Sequence, residues 1–182
     1  AVALGSLVFA VVASVPVSTA PDPRRLGGNH VDNMFLPTHT DVADPVERVR
    51  AIHESVTAAR RSREALGSDL LERRAGLVPP PLYSAAMRSW AAIGLAGRVR
   101  PPLNFVASSV RGPRSPLGLD GGAITALYSS GPILEGIGLN ITAWSYLDTM
   151  HVSLLGCSRS LPDPWLLAED IAADMEELSN AT

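Results

Sequence analysis

The strongest constraint on this sequence is the stretch from Ala1 to Ala20, which carries no charged side chain. Such a run has to leave water, as a buried strand, an export signal or a membrane span. Val17-Ser18-Thr19-Ala20 has the small-residue character of a cleavage site, but no basic segment precedes the run and Pro16 interrupts it. Within it, Val11-Val12-Ala13-Ser14-Val15-Pro16-Val17 is short, apolar and rich in β-branched residues, the composition of a strand covered on both faces. A buried strand is therefore favoured over export, and export over a span. The chain begins at Ala1 and not at methionine, as a processed or truncated piece would.

A length of 182 residues fits one ordinary domain or one lobe of a two-lobed enzyme. The hydrophobic share of 46% is enough to build a core and argues against wholesale disorder. A net charge of −3 argues against nucleic acid as a general partner, because such binders carry a basic surplus. All 15 basic residues are arginine, a pattern better explained by a GC-rich genome than by phosphate recognition. Cys157 is the only cysteine, so no internal disulfide and no CxxC motif can form, which fits a reducing compartment.

Asp44-Pro45-Val46-Glu47 opens a helix: Asp44 caps, proline takes the first helical position, and a glutamate follows three residues after the cap. Val46, Val49, Ile52 and Val56 keep helical spacing, predicting a helix to about Leu66. A short helix is expected over Ser68 to Ala75. Pro79-Pro80-Pro81 then separates it from another helix, Leu82 to about Leu95. Strands are expected at Asn29 to Pro37, Leu103 to Val110, Ala123 to Ser129, Leu139 to Leu147 and Met150 to Cys157, with Gly, Pro and Asp between them. The last two read as a hairpin joined through Asp148-Thr149. Asp163 and Pro164 start a closing helix with Leu167, Ile171, Met175 and Leu178 on one face. The expected class is α/β, an α+β two-layer lobe with helices and strands in blocks.

No self-contained active site emerges from the residues. The four histidines, His30, His39, His53 and His151, have no Gly-x-Ser-x-Gly elbow to serve, and Cys157 reads as a small core or strand-end residue. His30 with Asp32 and His39 with Asp41 share i, i+2 spacing, but without HExxH or clustered carboxylates no metal site is expected. Arg60, Arg61, Arg63, Arg73 and Arg74 are interleaved with Glu64, Asp69 and Glu72, so a solvated, salt-bridged helix face is favoured over an anionic lipid surface or a nucleotide phosphate. Asp120-Gly121-Gly122 is turn chemistry. The sequons at Asn140 and Asn180 read as chance matches.

Three segments go further. Val15-Pro16-Val17-Ser18 leading into Leu26-Gly27-Gly28-Asn29, the stretch Asn104-Phe105-Val106-Ala107-Ser108-Ser109-Val110-Arg111-Gly112-Pro113, and Gly131-Pro132 followed by Gly138-Leu139-Asn140-Ile141-Thr142-Ala143-Trp144-Ser145-Tyr146 together resemble the C-terminal lobe of wax ester synthase/diacylglycerol acyltransferases. The likeness runs from about residue 12 to the end, and residues 1–11 form an unmatched apolar segment.

The resemblance implies one half of the two-lobed fold of CoA-dependent acyltransferases, similar to chloramphenicol acetyltransferase, with a tunnel between the lobes. It implies transfer of a long acyl chain from acyl-CoA to a diacylglycerol or a fatty alcohol, with acyl-CoA as substrate and no resident cofactor. In the family a histidine of a His-His-x-x-x-Asp-Gly motif acts as general base on the hydroxyl. That motif is absent here, so no catalytic residue is carried over, and the N-terminal lobe becomes an expected partner. The family's Asn-Asp motif, expected just upstream of Val11, is missing too. Ser109 stands where the family often has asparagine and Arg111 where it has proline, and a hydroxyl reproduces only part of an amide's hydrogen bonding.

The tunnel-wall candidates implied are Ser108, Ser109, Val110, Arg111, Gly112 and Pro113, then Asn29 and Asn140. A lone lobe would expose an apolar face and associate. The expected location is the cytoplasm, peripheral to the inner membrane or to lipid bodies. The competing reading is a non-enzymatic remnant that binds lipid or a partner.

Overall fold

The computed structural model describes residues 11–18, 31–66, 79–93, 103–133 and 136–181. Its centre is a five-stranded sheet in the order β2-β1-β3-β6-β7. The strands are β1 (Val12–Ser18), β2 (Val31–Pro37), β3 (Phe105–Arg111), β6 (Leu139–Tyr146) and β7 (Thr149–Gly156), with a small ribbon of β4 (Gly118–Leu119) and β5 (Gly122–Ala123). The helices are α1 (Pro45–Leu66), α2 (Pro80–Ala92) and α3 (Pro164–Asn180). The expected α+β lobe is what forms.

The apolar run containing β1 is an interior strand, antiparallel to β2 and parallel to β3. Ala13 closes off one face and Ser14 the other, while Val15, Pro16 and Val17 remain half-buried. Pairing with β3 is registered only at Ala13↔Phe105 and Ser14↔Val106, and Asn104 reinforces it from both ends. Its backbone N–H donates to the Val12 carbonyl at 2.8 Å, and its side-chain oxygen accepts from the Val12 N–H at 2.8 Å. The ladder ends before Pro16, a residue with no N–H to give it.

α1 lies on the face of the sheet that carries Asp32, Met34 and Leu36, and Arg63 pairs with Asp32 at 3.3 Å. Of the expected solvated, salt-bridged face, Arg63 keeps the salt bridge but not the solvent: its partner is a strand aspartate and its side chain is only 20% exposed. Val49, expected on the buried stripe, is exposed, as is Met175 on α3. Both helices lie on the sheet along a narrow line of contact, so only the most inward residues are covered.

The cap at Asp44 forms as expected, its Oδ1 accepting from the Glu47 N–H at 2.8 Å. Asp163 does the same for the Trp165 N–H at 2.9 Å. Asp44→Ala is expected to cost about 1 kcal/mol, measured as a shift of the urea midpoint; an unchanged midpoint would show the cap to be idle.

Three sequence expectations are corrected. Pro80 and Pro81 begin α2 instead of separating helices, since proline is tolerated in a first turn whose N–H groups have no intrahelical partner. The hairpin turn is Leu147-Asp148, one residue earlier than expected, with Leu147 at φ 53 and Tyr146 paired to Thr149. Ala123 to Ser129 is not a strand: past Ala123 the chain is irregular, and the Ile124 carbonyl is taken by the Tyr146 hydroxyl instead of by a strand partner. The Asp120-Gly121 turn is as expected, with both residues at positive φ in the arrangement that suits a two-residue hairpin. The short helix expected over Ser68 to Ala75 lies outside the described residues.

Candidate functional site

Register decides which side chains share the sheet face away from α1. Asn33 pairs with Pro16, and Phe35 with Ser14. Ser14 pairs with Val106, Val106 with Asn140, and Ser108 with Thr142. Successive side chains on a strand alternate between faces, so these residues line one surface together.

Over one end of it runs the segment between β3 and β6. Tyr146, 1% exposed, holds that segment down: its hydroxyl accepts from the Leu117 N–H at 2.9 Å and donates to the Ile124 carbonyl at 2.8 Å. Asn140 adds a third tie, donating from Nδ2 to the Pro132 carbonyl at 3.1 Å while its oxygen accepts from the Thr142 hydroxyl at 2.9 Å. Gly131 passes so close that an added Cβ would lie 2.5 Å from Asn140 Nδ2.

Between this strap and the open side of the sheet lies a cleft of about 490 Å³. Its apolar walls are Pro16, Phe35, Leu103, Val106, Val110 and Pro132; its polar groups come from Ser14, Asn33, Ser108, Ser129, Ser130, Asn140 and Thr142. That volume and balance suit a small or chain-like apolar ligand with a few oriented polar atoms.

Of the residues expected at a site, Ser108, Val110 and Asn140 line the cleft. Ser109 and Arg111 alternate to the opposite face and are exposed there. Gly112 and Pro113 tie the end of β3 to the hairpin, the Gly112 N–H donating to Ser145 Oγ at 3.1 Å and the Pro113 carbonyl accepting from the Leu147 N–H at 3.1 Å. Asn29 lies outside the described residues. Ser14, Pro16, Asn33, Phe35 and Thr142 were not singled out from sequence, because their place in the site depends on which strands pair.

None of His39, His53 and His151 is among the cleft-lining residues. His39 is hydrogen-bonded through Nε2 to Ser55 Oγ at 2.8 Å, His53 is exposed on α1, and His151 packs its ring against Tyr128 with centroids 4.7 Å apart. Cys157 follows the end of β7, and its thiol is held below its ordinary value by the backbone N–H groups of Arg159 and then Ser160. Among the described residues no three His, Cys, Asp or Glu side chains gather where they could hold a metal ion. The cleft can bind and orient; its described lining contains no group suited to take a proton from an alcohol.

Residues 27–179 match the family model of the WS/DGAT C-terminal domain. The chain belongs to this family. Relatives of this WS/DGAT lobe include a putative diacylglycerol O-acyltransferase of Mycobacterium tuberculosis, 36% identical over 171 residues that make up 94% of this chain and 36% of the relative. The O-acyltransferase WSD of Acinetobacter baylyi is 32% identical over 157 residues, covering 84% of this chain and 32% of its own length.

A solved structure, the wax ester synthase/diacylglycerol acyltransferase from Marinobacter aquaeolei VT8, superimposes with a TM-score of 0.63 at 25% identity over 94% of this chain and 36% of that one. The WS/DGAT lobe thus spans about a third of the length of the relatives it matches, and its fold is that of the C-terminal part of a CoA-dependent acyltransferase. Among the described residues no helix is long and apolar enough to cross a membrane.

Proposed function

We propose that this lobe forms one wall of the substrate tunnel of an O-acyltransferase, which moves a long acyl group from acyl-CoA to a diacylglycerol or a fatty alcohol. The observation that carries this is the strapped cleft on the sheet face, with apolar walls interspersed with hydroxyl and amide groups and no histidine among its lining residues. In this reading the general base is a histidine of an N-terminal lobe that closes over the cleft. Ser108, Val110 and Asn140 are then the tunnel-wall residues on this side, and Gly112 and Pro113 shape the end of the strand that presents them. Acyl-CoA is a co-substrate, and no resident cofactor takes part. The enzyme works in the cytoplasm and meets its neutral lipid at the surface of the inner membrane or of a lipid body.

The test is CoA release from palmitoyl-CoA with dioleoylglycerol or hexadecanol, using the chain alone and together with a His-His-x-x-x-Asp-Gly lobe. Turnover is expected only from the pair. Turnover by the chain alone would move the base into this lobe, and silence from a folded, associated pair would leave a lipid-binding remnant without transfer activity.

A further inference from the structure

Two asparagines on the cleft face are anchored in the same way but finish differently. The oxygen of Asn140 accepts from the Thr142 hydroxyl at 2.9 Å, and the oxygen of Asn33 accepts from the Ser14 hydroxyl at 3.2 Å. Both hydroxyl residues are 4% exposed, so each carboxamide is held by a buried neighbour with its nitrogen directed elsewhere. The Asn140 nitrogen is used at once, on the Pro132 carbonyl at 3.1 Å. The Asn33 nitrogen has no hydrogen bond to any described residue, and Asn33 lines the cleft. What the chain does with one amide, it leaves open with the other.

We propose that the Asn33 side-chain nitrogen is the cleft's donor for a ligand carbonyl oxygen. An amide N–H can only donate, so its complement is an acceptor, and the Pro132 carbonyl shows the chemistry that the parallel group takes. Register places Asn33 beside Pro16, at the stretch of β1 where pairing with β3 has ended. A ligand can reach the nitrogen there without displacing a ladder hydrogen bond. Ser108, which lines the same cleft, offers a hydroxyl that both donates and accepts, and so can serve an alcohol. The division of labour is carbonyl to Asn33 and hydroxyl to Ser108. This rests on the tunnel-wall reading and sharpens it: the carbonyl belongs either to an ester of a diacylglycerol acceptor or to the pantetheine part of acyl-CoA.

Binding of dioctanoylglycerol, octanoyl-CoA and octanol to this chain separates the cases, followed by the side-chain amide resonances of Asn33 and by tryptophan fluorescence. Asn33→Asp keeps an oxygen for Ser14 but removes the donor; Asn33→Leu removes the donor without adding charge. Because Asn33 is exposed on the edge strand β2 and aspartate keeps an oxygen for Ser14, Asn33→Asp should keep the parent's melting temperature. Asn33→Leu strands the buried Ser14 hydroxyl and should melt a few degrees lower, still folded at the temperature of the binding assay. A carbonyl ligand should bind about fivefold to tenfold more weakly to either variant, while octanol should change by less than about twofold, a hydroxyl having Ser108 as partner. Loss confined to dioctanoylglycerol assigns the site to the acceptor ester; loss confined to octanoyl-CoA assigns it to the acyl donor. Equal binding of all three ligands by parent and variants would overturn the proposal alone, and so would equal weakening of all three. A parent chain that binds none of them would overturn the tunnel-wall reading with it.

Discussion

Replacing Gly112 by alanine is expected to lower the stability of this lobe by about 3 kcal/mol, the upper range for forcing extra atoms into a packed site. The reason is space. A Cβ at this position would overlap the Ser145 carbonyl and stand 2.5 Å from Trp144 Nε1. The carbonyl cannot retreat, because Ser145 is locked between Arg111 on β3 and Met150 on β7. Relief must come from separating the end of β3 from the hairpin, which also breaks the Gly112 N–H to Ser145 Oγ bond.

Urea unfolding should show a lower midpoint with an unchanged slope. Gly121 provides the contrast: it has nothing within 4 Å of an added Cβ but sits at φ +79, so its alanine variant should cost only about 1 kcal/mol, through backbone strain. A Gly112→Ala protein within about 0.5 kcal/mol of the parent, the range of an indifferent surface change, would refute the steric account.

Tyr146→Phe should cost about 2 kcal/mol, although it removes a single oxygen. That oxygen is both acceptor for the Leu117 N–H and donor to the Ile124 carbonyl, so its loss breaks two partly buried hydrogen bonds of about 1 kcal/mol each. The loss should be local as well as global. Amide exchange at Leu117 should accelerate strongly, and limited proteolysis should cut first between Gly112 and Pro132. Because the strap supplies Ser129, Ser130 and Pro132 to the cleft, ligand binding should weaken in parallel. Unaltered Leu117 exchange in the variant would mean that something else holds the strap.

The elements with strong local signals were legible from residues alone. Asp44-Pro45 and Asp163-Pro164 carry cap and first-turn chemistry that acts within three residues, and both helices start where those pairs place them. The hairpin of β6 and β7 was legible because its partners are adjacent in the chain. Ile124 to Tyr128 was misread because apolar, β-branched residues look alike whether their backbone pairs with a strand or is fastened by a tyrosine hydroxyl.

Half of the site was hidden for a related reason. Ser108, Val110 and Asn140 could be marked by resemblance, but alternation sends Ser109 and Arg111 to the other face, and a motif quoted as a continuous string does not show this. Asn33 and Ser14 enter the site only through the pairing of β1 with β2 and β3, which no local pattern encodes.

The narrow join between β1 and β3 has a kinetic meaning. β1 with β2, and β6 with β7, can each zip from nearby residues. The Asn104 clasp on Val12 bridges a separation of 92 residues and must wait for a long loop to close, whose entropic cost is met before any contact repays it. Two sub-assemblies should therefore form early and dock late, and the same line should be the first to part when the molecule opens from its native state. A slow final refolding phase, sensitive to Asn104→Ala and indifferent to changes in the hairpin, would be the signature of that order. The cleft straddles this line, so any ligand held in it would act as a staple across the last-formed boundary, and a filled lobe should unfold more slowly than an empty one.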